Sequence, residues 1–189
     1  IREEYDKCGG SIVITWTIST GCDNQSVQKM VTIPVTPATP PTITLPELPT
    51  ELTCDNAASF VVPNASYSNG VTGTCGISGS VPGVKTEDFT TCGGKITIKW
   101  TVRPEDNCGR PAIEKTVTIP VLPAPAPEIK LPELPGSLSC EEASAFSAPN
   151  ASYTNNASSD ECLIAGTTPG IIREEYDKCG GSIVITWTI

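Results

Sequence analysis

Lys95–Val102 reads KITIKWTV. Ile96, Ile98, Trp100 and Val102 alternate with Lys95, Thr97, Lys99 and Thr101, a period of two that turns one face to a core and the other to water. Ser11–Ile18 carries the same pattern, with Ile12, Ile14, Trp16 and Ile18 as the inward set. After a turn at Arg103–Pro111, Glu114–Val121 turns Val117, Ile119 and Val121 inward, so Lys95–Val121 is expected to be a hairpin. Pro120 has no N–H to give a ladder, which puts this second strand at a sheet edge. Thr42–Leu45 and Ala58–Val62 read as further strands. Residues 68–91, rich in Gly, Ser and Thr, do not divide cleanly, and no window has helical periodicity. The chain is expected to be all-β. Each tryptophan is in phase with isoleucines, so the indoles are assigned to the core and not to a ligand platform.

The hairpin recurs. Ile1–Ile18 and Ile172–Ile189 are the same sequence, IREEYDKCGGSIVITWTI, 171 residues apart. LPELP begins at Leu45 and Leu131, VTIPV at Val31 and Val117, and PNASY at Pro63 and Pro149, each pair 86 residues apart. Cys-Gly-Gly begins at Cys8, Cys92 and Cys179, and Trp16, Trp100 and Trp187 each follow eight residues later. Such self-similarity marks a repeat architecture. One 171-residue period holds two diverged modules of about 85 residues. Residues 1–38 are expected to be the C-terminal part of a preceding module and 39–124 a complete one. Residues 125–189 form the N-terminal part of a following module without its last strand, which a stretch like 19–38 would complete. The array is expected to continue beyond the 189 residues. The linkers Thr36–Thr42 (TPATPPT) and Leu122–Glu128 (LPAPAPE) have the alternating prolines of extended, semi-rigid spacers.

Eighteen prolines and sixteen glycines suit short strands joined by many turns. The net charge of −9 argues against nucleic acid, which needs basic stripes. It fits a soluble extracellular surface that repels its neighbours. No apolar run approaches the ~20 residues of a transmembrane segment. The nine cysteines fall four to a module, with neither a CxxC pair nor any histidine. Zinc sites use such ligands, so disulfides and export to an oxidising place are the expected reading.

Topology suggests a pairing. In an immunoglobulin-like β-sandwich the second and sixth strands start at the same pole, where Cys54 and Cys92 would lie. Cys75 and Cys108 would lie at the opposite pole. A strand of eight residues spans ~26 Å, far beyond the ~6 Å between bridged Cα atoms, which separates Cys92 from Cys108. The expected pairs are Cys54–Cys92, Cys75–Cys108 and, by repetition, Cys140–Cys179. Cys8, Cys22 and Cys162 would find partners outside the 189 residues. Four cysteines still allow three connectivities.

CGGKITIKWTVRPEDNCGRPAIEKTVTIPV resembles the end of HYR-like, immunoglobulin-type tandem repeats found in large surface proteins of Bacteroidetes. Their motif is of the type C-x-G-x-I-x-x-x-W-x-x-x-D-x-C-G-N. Cys92, Gly94, Ile96, Trp100, Asp106, Cys108 and Gly109 fit it, with an insertion before Asp106 and Arg110 in place of Asn. Cys22 fits less well, being followed by Asp23 and Asn24. PPTITLPELPTELTC resembles the family's opening strand and first cysteine. The resemblance implies tandem, disulfide-stapled sandwich modules in a surface fibre or stalk. It extends to adhesins of the giant gliding-motility type, exported by the type IX route.

Nothing marks an enzyme. Without histidine there is no His-based triad, and the acidic neighbours Glu3-Glu4, Glu105-Asp106 and Glu141-Glu142 read as solvated turn carboxylates. Asp23-Asn24, Asp55-Asn56 and Asp106-Asn107 offer loop oxygens, so calcium is the one ion the sequence admits, although such residues are also ordinary turn formers. Asn24, Asn64, Asn150 and Asn156 head N-x-S sequons. No Lys/Asn/acid trio stands out for an isopeptide staple. The first expectation is a structural segment of an extracellular filament, stalk or adhesin, whose partners are neighbouring repeats and possible surfaces. The alternatives are a glycan- or protein-binding adhesion module, or a spacer within a secreted multidomain enzyme. The loops differ between modules (SNGVTGTCGISG against TNNASSDECLIAG) while the strands repeat, which favours the structural reading.

Overall fold

The computed structural model describes residues 1–19 and 26–189. In chain order the elements are β1 (Arg2–Asp6), β2 (Gly9–Ser19), β3 (Ser26–Val35), β4 (Thr42–Thr44), α1 (Cys54–Ala58), β5 (Ala65–Ser68), β6 (Ser78–Val81), β7 (Gly83–Thr90) and β8 (Gly93–Val102). They continue with β9 (Ile113–Val121), β10 (Glu128–Lys130), α2 (Cys140–Ala145), β11 (Ala151–Thr154), β12 (Ala165–Thr168), β13 (Ile171–Asp177) and β14 (Gly180–Thr186). Among the described residues the fold is all-β with two short α-helices. The sheets run β1-β2-β3, β4-β5-β6, β7-β8-β9, β10-β11-β12 and β13-β14.

The chain divides into two compact units. One is Ile1–Leu48, Val61–Thr86 and Thr97–Thr118; the other is Pro49–Phe60, Glu87–Ile96 and Ile119–Ile189. Their limits do not follow the sequence period, because residues 39–124 contribute to both.

In the first unit β1, β2 and β3 form an antiparallel meander, with Glu3 opposite Ile12 and Ile12 opposite Ile33. Ile43, Tyr67 and Gly79 lie side by side across β4, β5 and β6. A Cβ on Gly79 would stand 2.5 Å from the Tyr67 hydroxyl, so glycine is what lets the ring lie over the neighbouring strand. Trp100 is fully buried, and its indole N–H donates to the Pro63 carbonyl at 3.1 Å. Gly83 leaves room for it, since a Cβ there would come within 2.8 Å of Trp100 Nε1 and 2.5 Å of Val62.

The second unit repeats these devices. Tyr153 lies across Gly166, and the Trp187 indole donates to the Pro149 carbonyl at 3.0 Å. β13 and β14 pair in the same register as β1 and β2, Glu174 opposite Ile183 as Glu3 is opposite Ile12. PNASY thus has a structural meaning: its proline carbonyl receives the indole, and its Ala-Ser-Tyr opens a strand.

Three sequence expectations change. Ala58–Val62 is not a strand; Ala58 closes α1, and the strand begins only at Ala65, beyond Pro63, which has no N–H to donate. Two helices exist where none was expected, each a single capped turn. The inward set of β2 is only partly covered, with Trp16 at 53% and Ile18 at 68% exposure. Among the described residues, nothing over β2 matches the cover that Pro63 and Gly83 give Trp100. The hairpin reading holds: Ile96, Ile98, Trp100, Val102, Ile119 and Val121 are buried. β9 lies at its sheet's edge, where the Pro120 carbonyl accepts from Leu52 N–H at 3.0 Å.

Truncating a fully buried aromatic costs about 3–5 kcal/mol. Trp100→Ala should lower the unfolding free energy, read from urea denaturation, by an amount in that range, whereas Trp16→Ala should cost under about 1 kcal/mol, as exposed substitutions do. Equal losses in paired denaturation curves would contradict the assigned burial.

Candidate functional site

The distinctive chemistry of the chain is its cysteines, and four of them pair off, two in each unit. In the first unit, Asp6 Oδ1 accepts from Cys8 N–H at 2.7 Å and shapes the turn between β1 and β2. Gly9 follows at φ +95°, where a Cβ would lie 2.8 Å from the Val35 carbonyl oxygen and 3.2 Å from Pro37. The linker therefore passes directly over this turn, and Ala38 N–H donates to Lys7 O at 3.0 Å. From the other side, Arg110 Nη2 donates to Ala38 O at 2.6 Å. Arg110 belongs to a tight turn. Pro104–Asn107 makes a 3₁₀ helix, the buried Asn107 amide donates to Pro111 O at 3.2 Å, and Gly109 N–H closes onto Pro104 O at 2.7 Å. This holds Cys108 in the left-handed region at φ 55°, a conformation that costs a non-glycine residue about 1–2 kcal/mol. Cys8 and Cys108 are bonded, their Cα atoms 5.0 Å apart.

In the second unit the linker again crosses a Cys-Gly-Gly turn. A Cβ on Gly93 would lie 2.7 Å from the Val121 carbonyl oxygen, and Ala124 N–H donates to Thr91 O at 2.9 Å. Beside it, Thr53 caps α1 by accepting from Asn56 N–H, which fixes Cys54 in the first turn. Asp55 grips the segment that carries the partner cysteine. Its Oδ1 accepts from Ser158 N–H at 3.1 Å, Ser159 N–H at 3.0 Å and the Ser159 hydroxyl at 3.2 Å. The Ser159 amide first, then the Ser159 hydroxyl and the Ser158 amide, holds the Asp55 carboxyl below its ordinary value of 3.8. Asn155 organises the same loop, donating to Cys162 O at 2.8 Å and accepting from Ala157 and Ile164 N–H. Cys54 and Cys162 are bonded, 5.8 Å between Cα atoms, and both are buried.

The expected pairs Cys54–Cys92 and Cys75–Cys108 are therefore replaced by Cys54–Cys162 and Cys8–Cys108, and Cys8 and Cys162 have partners within the chain. Cys140 and Cys179 are not bonded to each other; they, Cys75 and Cys92 are free thiols. Cys54 Sγ lies 3.8 Å from the carbonyl of Thr90, two residues before Cys92. What the topological argument lacked was the segment from another sequence module, held by Asp55, that takes Cys54 first. Arg110 and Ala38 likewise hold the Cys108 turn on the Cys8 turn. Both bonds join cysteines that the sequence period assigns to successive modules.

Asp55, a calcium candidate, is occupied by the Ser158–Ser159 loop. Among the described residues no cluster of three or more acidic, Cys or His side chains could hold a metal ion. Cys22, Asp23 and Asn24 lie outside the described residues. Of the paired carboxylates, Glu142 closes a capping box with Ser139, whose amide lowers its pKa. Sequence reasoning missed the Asp55 grip and the asparagine knots. The latter had a signal: Asn69 and Asn155 stand 86 residues apart, and each bonds the carbonyl of the cysteine that follows, Cys75 or Cys162.

Among the described residues no helix is long and apolar enough to cross a membrane. The chain matches no protein-family model, no curated protein and no solved structure.

Because the folded pKa of Asp55 is depressed, its stabilising contribution is complete above the unfolded value and is lost as pH falls through the lower folded one. In an NMR titration, the Ser158 and Ser159 amide shifts should share a midpoint below 3.8 and should not titrate in Asp55→Asn. A midpoint at or above the ordinary value would contradict the grip.

Proposed function

We propose that the chain is a length-building segment of an extracellular filament, stalk or adhesin at a bacterial cell surface, built from tandem immunoglobulin-like sandwich modules. The observation that carries this reading is that both disulfides link cysteines of successive sequence modules. A bond inside a module would only staple that module. Each bond lies within one compact unit and ties stretches of two sequence modules into it, so successive modules interlock and tension passes covalently from one to the next, which a load-bearing thread requires and an independent binding module or enzyme domain does not. The linkers serve the same end, since Ala38 and Ala124 are each hydrogen-bonded to a Cys-Gly-Gly turn and are not free tethers.

Other features agree with it. Stability in such arrays is local, each unit leaning chiefly on its neighbours. The uncovered face of β2 and β3, with Trp16, Ile18, Val31 and Ile33 exposed, is what a sheet shows without its covering sheet. The disulfides fit an oxidising, extracytoplasmic setting. The acidic charge keeps neighbouring threads apart. The resemblance of Cys92–Val121 to HYR-like repeats of gliding adhesins points the same way. This reading assigns the chain no catalytic group and no cofactor. Its partners are neighbouring repeats of the same protein.

Immunogold electron microscopy with antibodies to this chain should decorate cell-surface threads along their length. Abundant protein without threads would overturn the filament reading, and label confined to thread tips would favour the adhesion module.

A further inference from the structure

We propose that the groove bounded by Cys140 and Cys179 is a socket for a further copy of the repeat, whose Cys75 bonds Cys140 and whose Cys108 bonds Cys179. The proposal deepens the filament reading and rests on it. Cys140 stands at the position of Cys54 one module on, and Cys162 at that of Cys75. Moving the Cys54–Cys162 bond along by one module therefore joins Cys140 to the Cys75 of a further copy. Cys179 lies in the 18-residue stretch identical to that of Cys8, and the bonded partner of Cys8 is Cys108. In a period of 171 residues, Cys179 of one repeat and Cys8 of the next are the same residue, so the two assignments do not compete for Cys108.

The local structure is ready on both sides. On the socket side, Cys179 N–H donates to Asp177 Oδ1 at 2.7 Å, as Cys8 does to Asp6. Cys140 opens a capped helical turn as Cys54 does. Glu141 follows it as Asp55 follows Cys54, an exposed carboxylate placed to accept the amides of an incoming loop. The groove between them is open, about 600 Å³, and Leu134, Leu138, Phe146 and Tyr176 line it with the two thiols. Burial raises the Tyr176 pKa, and its hydroxyl stays neutral against an incoming loop. On the incoming side, Asn69 Nδ2 donates to Cys75 O at 3.0 Å and Asn69 Oδ1 accepts from Val71 and Ile77 N–H. These are the bonds that Asn155 makes around the disulfide-bonded Cys162. Each new bond forms as two thiols lose two protons and two electrons to an external disulfide, of the thiol–disulfide oxidoreductase class or a small-molecule disulfide, which is reduced to two thiols.

The test is a disulfide map of the full-length protein, isolated from its source without reduction after blocking free thiols with N-ethylmaleimide. Trypsin with chymotrypsin cuts at Phe60 and Tyr67, between Cys54 and Cys75, and at Phe146 and Tyr153, between Cys140 and Cys162. The expected result is a linked Cys75–Cys140 peptide pair beside Cys8–Cys108 and Cys54–Cys162. Recovery of Cys75 and Cys140 as alkylated thiols, or a Cys75–Cys108 or Cys140–Cys179 link, would overturn the socket. In Cys75→Ser full-length protein, Cys140 alkylation should rise from background to near completion; no rise overturns the assignment. A Cys75–Cys140 pair in a protein that forms no threads would sink the filament reading and leave the junction standing.

Discussion

A disulfide tolerates only about 4.4–6.8 Å between Cα atoms, and the turns that carry Cys8, Cys54, Cys108 and Cys162 are all made to that tolerance. Few backbone groups in them are left to chance. Ala38 is held at both its N–H and its carbonyl, Asp55 closes on two amides and a hydroxyl, and Cys108 sits in a left-handed conformation that its 3₁₀ turn fixes. Each bond closes some hundred residues, worth about 4.7 kcal/mol in the chain-entropy estimate. That exceeds the figure for the shorter loops of an intramodule pairing, roughly 3.5–4 kcal/mol for 35 to 40 residues. With only ten aromatic residues in the chain, such terms are a large share of a net stability that is about 5–15 kcal/mol for a typical domain.

Strand alternation was legible wherever a strand is long and one-sided. Lys95–Val102 and Glu114–Val121 took their expected faces because the period of two records burial directly. The helices were not legible, because five and six residues hold less than two turns and leave no periodicity. Ser139 and Glu142, spaced as a capping box, were the only trace of α2. Trp16 shows a different limit. Its strand has the same alternation as that of Trp100, yet it is half exposed, because alternation says which face seeks cover and not whether a covering sheet lies within reach.

The disulfides show the same limit one level up. Repeat arithmetic groups Cys8 with Cys92 and Cys179, and Cys54 with Cys140. A period defines which positions are equivalent; it cannot tell a bond within a module from a bond to the next one. That choice rests on Asp55, Arg110 and Ala38, and Arg110 is the residue that holds the linker carbonyl.

The two bonds also interleave along the chain: Cys54 lies inside the loop closed by Cys8 and Cys108, and Cys108 inside the loop closed by Cys54 and Cys162. A protease that cuts the backbone once between Cys8 and Cys162 severs nothing, because a covalent route around the nick remains. Two cuts do not separate the two ends either, wherever they fall. Parting them takes three, one in each of the stretches 8–54, 54–108 and 108–162, so a chain cross-linked in this way can be nicked repeatedly and still hold.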